Sequence, residues 1–360
     1  MNYDIFLWFA LGLAALGGGA DILVRGAARL ARSLGVSSLV IGLTIVAFGT
    51  SAPELFISVL SLLKGQADIS VGNVVGSNIA NILLILGSSA LVAPLVVSGQ
   101  LVRLDVPIMI GASFLVFLLS LNGKLGRWEG AFLITALVLY TVILMHLQKR
   151  QADSEDGDKP KVNVTRNPLK ALIQVAMIVA GLALLIWGAE RLVDAATNIA
   201  RSLGISELVI GLTIVAGGTS LPEFATSLIA ALRGARDIAI GNVVGSCILN
   251  LLMVLGAAGL VAPDGIEFNP AIISFDIPVM MAVSVACLPI FFSDHLIARW
   301  EGALFLSYYV VYMVFLILRA SRHDALPVFS TVMMAFVIPL TVITLLVLSI
   351  RALKIRGRGT

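Results

Sequence analysis

The chain has 360 residues, of which 59% are hydrophobic and only 12% charged, with a mean hydropathy of +1.03. A soluble globular protein carries about 25% charged residues, so a water-soluble domain is excluded and the class is a polytopic membrane protein. The formal charge of +3 and pI near 9.0 do not indicate a nucleic-acid partner, because the basic residues are scattered over short connections, the pattern of membrane topology.

Runs of about 20 apolar residues mark membrane spans. The first, at 3–24, lacks a basic leader and a small-residue cleavage site, so it reads as a retained helix and not a signal peptide. Spans follow at 37–63, 69–93, 104–122 and 126–147, completing a five-helix unit over residues 1–147. A hydrophilic linker occupies 148–167 and contains QADSEDGDKPKVN. Its acidic residues lack the spacing of an EF-hand loop and read as a solvated connection. A second unit over 168–318 holds spans at 168–192, 206–232, 238–262, 272–293 and 298–318. An eleventh span, 327–350, has no counterpart in the first half and falls with a basic tail in 319–360. The fold class is therefore all-α and polytopic: ten spans in two five-helix repeats, plus an extra C-terminal helix.

The repeats are visible residue by residue. GLTIVAFGTSAPELF, with Glu54, returns as GLTIVAGGTSLPEFA, with Glu223. GNVVGSNIANILLILG from Gly72 returns as GNVVGSCILNLLMVLG from Gly241. Both offsets are 169 residues, drifting to 171 between Asp105 and Asp276 and 172 between Arg127 and Arg299. A period this long is duplication of a whole unit, not a solenoid. Five spans is an odd number, so the second unit must be inverted relative to the first, which places a shared site at the midplane between discontinuous helices. With the N-terminus outside, 17 of the 24 Lys and Arg residues fall inside, which favours an N-out, C-in orientation.

Glu54 and Glu223 are expensive in hydrocarbon, so matched copies suggest a site for positive charge. Pro53 and Pro222 break their spans, and broken backbone at this depth belongs to a buried or polar-lined position. The breaks would free carbonyls around Ala47 and Ala216. Ser51 to Glu54 and Ser220 to Glu223 also have the S-x-x-E form of a capping box, and both readings can hold together. Ser77 and Asn81 share one helix face, as do Ser246 and Asn250. Thr50, Ser51, Thr219 and Ser220 add hydroxyls. Oxygen donors without sulfur or imidazole suit a hard cation such as Ca²⁺ or Na⁺.

Other features read as structural. Gly72, Gly76, Gly241 and Gly245 suit close helix packing. Asp105 and Asp276 read as helix starts, and Asp68 and Asp237 as turn residues. Asp21 and Glu190 end the first and sixth spans, with Arg25 and Arg191 as the expected partners. Cys247 and Cys287 read as buried small hydrophobes, and Cys247 is expected to face protein. No histidine lies mid-span, so a buried nucleophile–base arrangement is not supported and the chain does not read as an enzyme.

The paired motifs GTSAPE with GNVVGSNIAN, and GTSLPE with GNVVGSCILN, resemble the repeats of the Ca²⁺/cation antiporter superfamily, and most closely its prokaryotic sodium/calcium exchangers. The resemblance covers roughly residues 3–318. It implies that Glu54 and Glu223 are central carboxylates shared by Ca²⁺ and Na⁺, lined by Asn81 and Asn250. It implies flanking Na⁺ sites from Thr50, Ser51, Ser77, Thr219, Ser220 and Ser246, with Ala47 and Ala216 contributing carbonyls. In such proteins the first and sixth helices slide across the rest, giving alternating access. Some relatives carry aspartate at the position of Asn250, linked to K⁺ use, so asparagine implies K⁺ independence. The short linker favours a prokaryotic, inner-membrane type. No cofactor is expected beyond transported Ca²⁺ and Na⁺, and no obligate protein partner beyond the lipid bilayer. The alternatives are an H⁺/Ca²⁺ antiporter, since protons compete for buried carboxylates, and a cation channel.

Overall fold

The computed structural model describes residues 3–154, 168–205, 207–210, 213–214, 216–292 and 295–343. Most of the linker, parts of the seventh span and the end of the eleventh lie outside the described residues. The chain is helical apart from two pairs of two-residue strands. Among the described residues nine helices are long and apolar enough to cross a membrane, or ten if one bent pair counts as a span.

In chain order the helices are α1 (Tyr3–Leu34), α2 (Ser38–Thr50), α3 (Ala52–Leu63), α4 (Ala67–Val92), α5 (Leu101–Ser120) and α6 (Arg127–Ser154). The second half has α7 (Pro168–Ser202), short turns α8 (Glu207–Ile210) and α9 (Ala216–Gly218), α10 (Leu221–Leu232), α11 (Arg236–Val261), α12 (Ile272–Phe291), α13 (Arg299–Ala320) and α14 (Leu326–Ile343). Nine of the eleven expected spans are recovered with shifted ends, the second as the bent pair α2 and α3; the seventh and eleventh are only partly described. Helices α1 and α7 run about ten residues further than the apolar windows 3–24 and 168–192 suggest, because their amphipathic ends continue as helix beyond the hydrocarbon.

The break in the second span is real. Helices α2 and α3 meet at an angle of 41°, with Pro53 in the first turn of α3. Proline is tolerated there because the first turn's N–H groups have no intrahelical partner. Helix α10 repeats this with Pro222.

Helix α11 is the most enclosed element and α4 is largely buried, whereas α13 and α14 are mostly exposed at the periphery. Large apolar side chains such as Leu139, Met145 and Val179 are exposed, as expected for surfaces that lie against lipid.

Helices α1 and α7 are stitched together by glycine. Gly12 lies against Gly188 and Leu192, Gly19 against Gly181 and Leu185, and Gly26 against Gln174 and Ile178, an antiparallel register. A Cβ at Gly12, Gly19, Gly181 or Gly188 would come within 2.7–2.9 Å of the opposite backbone. Spacing of seven residues keeps these glycines on one stripe.

The short strands join the two halves. Strand β1 (Leu95–Val96) pairs antiparallel with β4 (Leu296–Ile297), and β2 (Lys124–Leu125) with β3 (Ile266–Glu267). The connection after the third span of one half thus meets the connection after the fourth span of the other.

Asp105 and Asp276 do not start helices. Each closes a π-helical segment, Leu101–Asp105 and Ile272–Asp276, inside its span. Asp105 accepts from Tyr140 Oη at 3.0 Å and Gln100 at 3.2 Å, and Asp276 from Tyr312 Oη at 2.9 Å. A tyrosine from a neighbouring helix outcompetes the local cap because the position is withdrawn from water.

Gly19→Val should destabilise the α1–α7 contact by about 1–3 kcal/mol, the usual cost of overpacking. Gly17, whose added Cβ would meet nothing within 4 Å, should accept alanine without loss. Thermal midpoints of the purified protein in detergent would show the difference.

Candidate cation site

The two breaks face one another across the halves. Glu54 in the first turn of α3 and Glu223 in the first turn of α10 are both fully buried. Ser51 Oγ donates to Glu223 Oε1 at 3.2 Å, and Ser220 Oγ lies 3.5 Å from Glu54 Oε1. Each half therefore supplies its hydroxyl to the other half's carboxylate. Neither serine side chain caps its own helix, so the capping-box reading is overturned. The hydroxyl is turned to donate to a buried carboxylate of the opposite half, a stronger bond than the one it would make by accepting from a local backbone N–H.

The threonines cross in the same way. Thr50 Oγ1 donates to Asn242 Oδ1 at 3.1 Å, and Thr219 Oγ1 to Asn73 Oδ1 at 3.3 Å. The amide groups of these asparagines then reach back to the broken helices. Asn73 Nδ2 donates to the Glu54 carbonyl at 3.2 Å and Ser58 Oγ at 2.9 Å. Asn242 Nδ2 donates to the Glu223 carbonyl at 3.4 Å and Ser227 Oγ at 3.0 Å. Asn73, Asn242, Ser58 and Ser227 were not singled out from the sequence. The signal was present: Asn73 and Asn242 are polar residues 169 apart inside the two GNVVGS motifs.

Several buried polar atoms have no hydrogen-bond partner. They include Glu54 Oε2, Glu223 Oε2, both side-chain polar atoms of Asn81 and of Asn250, and Ser246 Oγ, besides others such as Ser70 Oγ, Ser89 Oγ and Thr226 Oγ1. Asn81 and Asn250 each open a π-helical segment, Asn81–Leu86 and Asn250–Val254. Such segments recur at functional sites. Ser77 is buried and its hydroxyl lies 3.3 Å from Ser220 Oγ. Ala47 sits in α2, and its carbonyl accepts from the Ser51 amide at 2.9 Å and from Thr50 Oγ1 at 3.3 Å, so the break does not leave it free. Ala216 opens the short turn α9. Among the described residues no cluster of three His, Cys, Asp or Glu side chains occurs, so the arrangement offers two carboxylates and otherwise neutral oxygens.

Cys247 is buried beside the Asn78 carbonyl, 3.9 Å away, and thus faces protein as expected. Asp21 pairs with Arg25 at 3.0 Å as expected. Arg191, however, pairs with Asp194 at 3.7 Å and lies over the Trp8 ring, not with Glu190. Adjacent helix positions point in different directions, whereas i and i+3 share a face.

Two cavities border the site. One of about 590 Å³ is lined by Gly72, Asn73, Gly76, Ser77, Thr219 and Ser220. The other, of about 560 Å³, lies between α3 and α7 and also reaches Thr219.

The sequence model described as sodium/calcium exchanger protein matches residues 5–146 and 173–318. The chain belongs to this family. It is an integral membrane protein of a family of cation/Ca²⁺ antiporters. Its relatives include the putative antiporter CaxA of Alkalimonas amylolytica, 41% identical over 283 residues, covering 78% of this chain and 88% of the relative. The sodium/calcium exchanger MaX1 of Methanosarcina acetivorans is 34% identical over 344 residues, covering 86% and 98%. The fold matches the sodium-calcium exchanger NCX_Mj with a TM-score of 0.75 at 32% identity, over 87% of this chain and 99% of that one.

Replacing Asn242 by alanine should remove its bonds with the Thr50 hydroxyl, the Ser227 hydroxyl and the Glu223 carbonyl, and leave the Ser227 hydroxyl without its donor. The expected cost is about 1–3 kcal/mol for each buried group left unsatisfied. Asn242→Ala should therefore lower the thermal midpoint more than Ser227→Ala, which removes a single contact.

Proposed function

We propose that this exchanger moves Na⁺ against Ca²⁺ by alternating access, without K⁺, at a midplane site centred on Glu54 and Glu223. The carrying observation is the pair of fully buried carboxylates, each with one oxygen held by the opposite half and the other unpartnered. Buried polar atoms without partners are rare in native structures and call for an unseen ion or water. The unpartnered groups of Asn81, Asn250 and Ser246 surround the same helices and supply the neutral oxygens a hard cation takes. Ser51 and Ser220 already touch the carboxylates. Thr50, Thr219, Ser77 and Ala216 are proposed for flanking Na⁺ sites, whereas the Ala47 carbonyl is already taken within its own turn.

Two carboxylates match the charge of one Ca²⁺ and can be matched equally by more than one Na⁺. That competition for a common negative charge makes exchange possible. Asn250 adds no charge to the site, which supports K⁺ independence.

Inversion of the repeats is supported by reciprocity. Counterpart helices α1 and α7 run antiparallel. Asn78 meets its own counterpart Cys247, and Ser113 meets Ser284 at 3.4 Å. Both strand pairings join the loop after a third span to the loop after a fourth, which lie on the same side only if one half is inverted.

Alternating access is supported by an inequality between equivalent glycines. A Cβ at Gly241 or Gly245 would strike the backbone of Leu39 or Leu43 at 2.8 and 2.6 Å, whereas Gly72 and Gly76 have nothing within 4 Å. The same motif is thus sealed in one half and open to a cavity in the other. We place the open face outside and both the N-terminus of α1 and this face on that side, from the distribution of basic residues.

Radiolabelled Ca²⁺ uptake into proteoliposomes loaded in turn with Na⁺, K⁺ or acid tests the coupling ion. Na⁺ loading should drive uptake; uptake driven by protons and indifferent to Na⁺ would overturn the reading in favour of H⁺/Ca²⁺ exchange. Glu54→Gln and Glu223→Gln should each abolish exchange while leaving the protein folded.

Omitting K⁺ from both sides should leave the Na⁺-driven rate unchanged. A strict K⁺ requirement would show that Asn250 does not have the role given to it here.

A further inference from the structure

The geometry points to a pair of alternating ion-pair locks, Asp21 with Arg233 on the closed face and Glu190 with Lys64 on the other, which form in turn as the carrier changes access. This rests on the alternating-access reading above.

On the closed face Asp21 of α1 pairs with Arg233, the residue that caps α10, and with Arg25 at 3.0 Å. Helix α1 packs directly on α10. An offset of 169 residues turns Asp21 into Glu190 and Lys64 into Arg233, so acid and base are both duplicated. Their local settings are duplicated too. Lys64 caps α3 as Arg233 caps α10, and each is followed by a glycine at positive φ, Gly65 at 74° and Gly234 at 73°.

The counterpart pair is not made. Glu190 and Lys64 are both exposed. Between their helices lies the cavity of about 560 Å³, with Pro53, Phe56 and Ile57 of α3 on one wall and Ile186, Glu190 and Val193 of α7 on the other. The gap thus separates the two elements whose counterparts, α10 and α1, are in contact and ion-paired.

The two pairs are mechanically exclusive. Glycine contact binds α1 to α7 along their length, so a movement that carries α7 onto α3 carries α1 away from α10. Making Glu190–Lys64 therefore breaks Asp21–Arg233. Exchange of one part-exposed pair for another keeps the two states close in free energy, since such a pair biases an equilibrium by only roughly 1.5- to 5-fold. The match is not perfect. Asp21 has Arg25 beside it, whereas the residue equivalent to Arg25 is Asp194, an acid that pairs with Arg191. The lock on the closed face is the stronger one, which favours the state seen here.

Cysteine pairs test this without any ion flux. Asp21→Cys with Arg233→Cys, and separately Lys64→Cys with Glu190→Cys, are treated in membranes with a short bifunctional thiol reagent, and the linked peptides are mapped by mass spectrometry. Native Cys247 and Cys287 are buried and serve as internal controls. Both pairs should link. Adding Arg233→Gln to the second pair should raise its yield by roughly 1.5- to 5-fold. Arg233→Lys, which copies Lys64, should leave the yield unchanged and controls for folding. Failure of the second pair to link while the first does, or a yield indifferent to Arg233→Gln, overturns the proposal. Because linking reports geometry, failure of Na⁺-driven Ca²⁺ uptake would leave this result standing, and normal exchange without linking would remove only the locks.

Discussion

Everything in this molecule is arranged around two carboxylates withdrawn from water. An unmatched charge in that setting is costly, and among the described residues no lysine, arginine or histidine pairs with either carboxylate: the groups that touch Glu223 and Glu54 are the hydroxyls of Ser51 and Ser220. Hydroxyl donors can hold an oxygen in place, but they cannot neutralise it. In the proposed function the balance comes from a cation that enters and leaves.

The crossed hydrogen bonds explain why the two halves cannot act alone. Ser51 belongs to the first break and holds Glu223; Ser220 belongs to the second and approaches Glu54. The threonine–asparagine pairs repeat the crossing one layer out. Either repeat on its own would bury a carboxylate with half its partners missing. The asparagines also tie down the first turns of α3 and α10 through the glutamate carbonyls, so position of the carboxylate and integrity of the break depend on the same side chain.

Much of this was legible in the sequence. Hydropathy marked the spans, and the 169-residue offset marked the duplication and the two glutamates. What failed was reasoning from local pattern alone. The S-x-x-E form promised a cap at Ser51 and Ser220, yet both hydroxyls are taken by the opposite half. Asp105 and Asp276 looked like helix starts beside proline, yet tyrosines from other helices claim them. The freed carbonyl expected at Ala47 is occupied by donors within its own turn. Asn73 and Asn242 were overlooked because a polar residue near a span end reads as an ordinary interfacial group. Only their partners, distant in sequence, reveal them as members of the site.

Identity and divergence between the repeats divide along a physical line. Thr50, Ser51, Glu54, Asn73, Ser77 and Asn81 have counterparts of the same type at Thr219, Ser220, Glu223, Asn242, Ser246 and Asn250. A carrier that binds the same ion from two sides must present the same groups in reversed order, and duplication supplies that without further adjustment. Differences include Phe48 against Gly217, Arg25 against Asp194, Lys64 against Arg233, and Asn78 against Cys247. None of these side chains holds the carboxylates. Packing also differs between equivalent positions, tight at Gly241 and Gly245 and open at Gly72 and Gly76. The proposed binding groups are thus kept alike in the two halves while the packing around them is not.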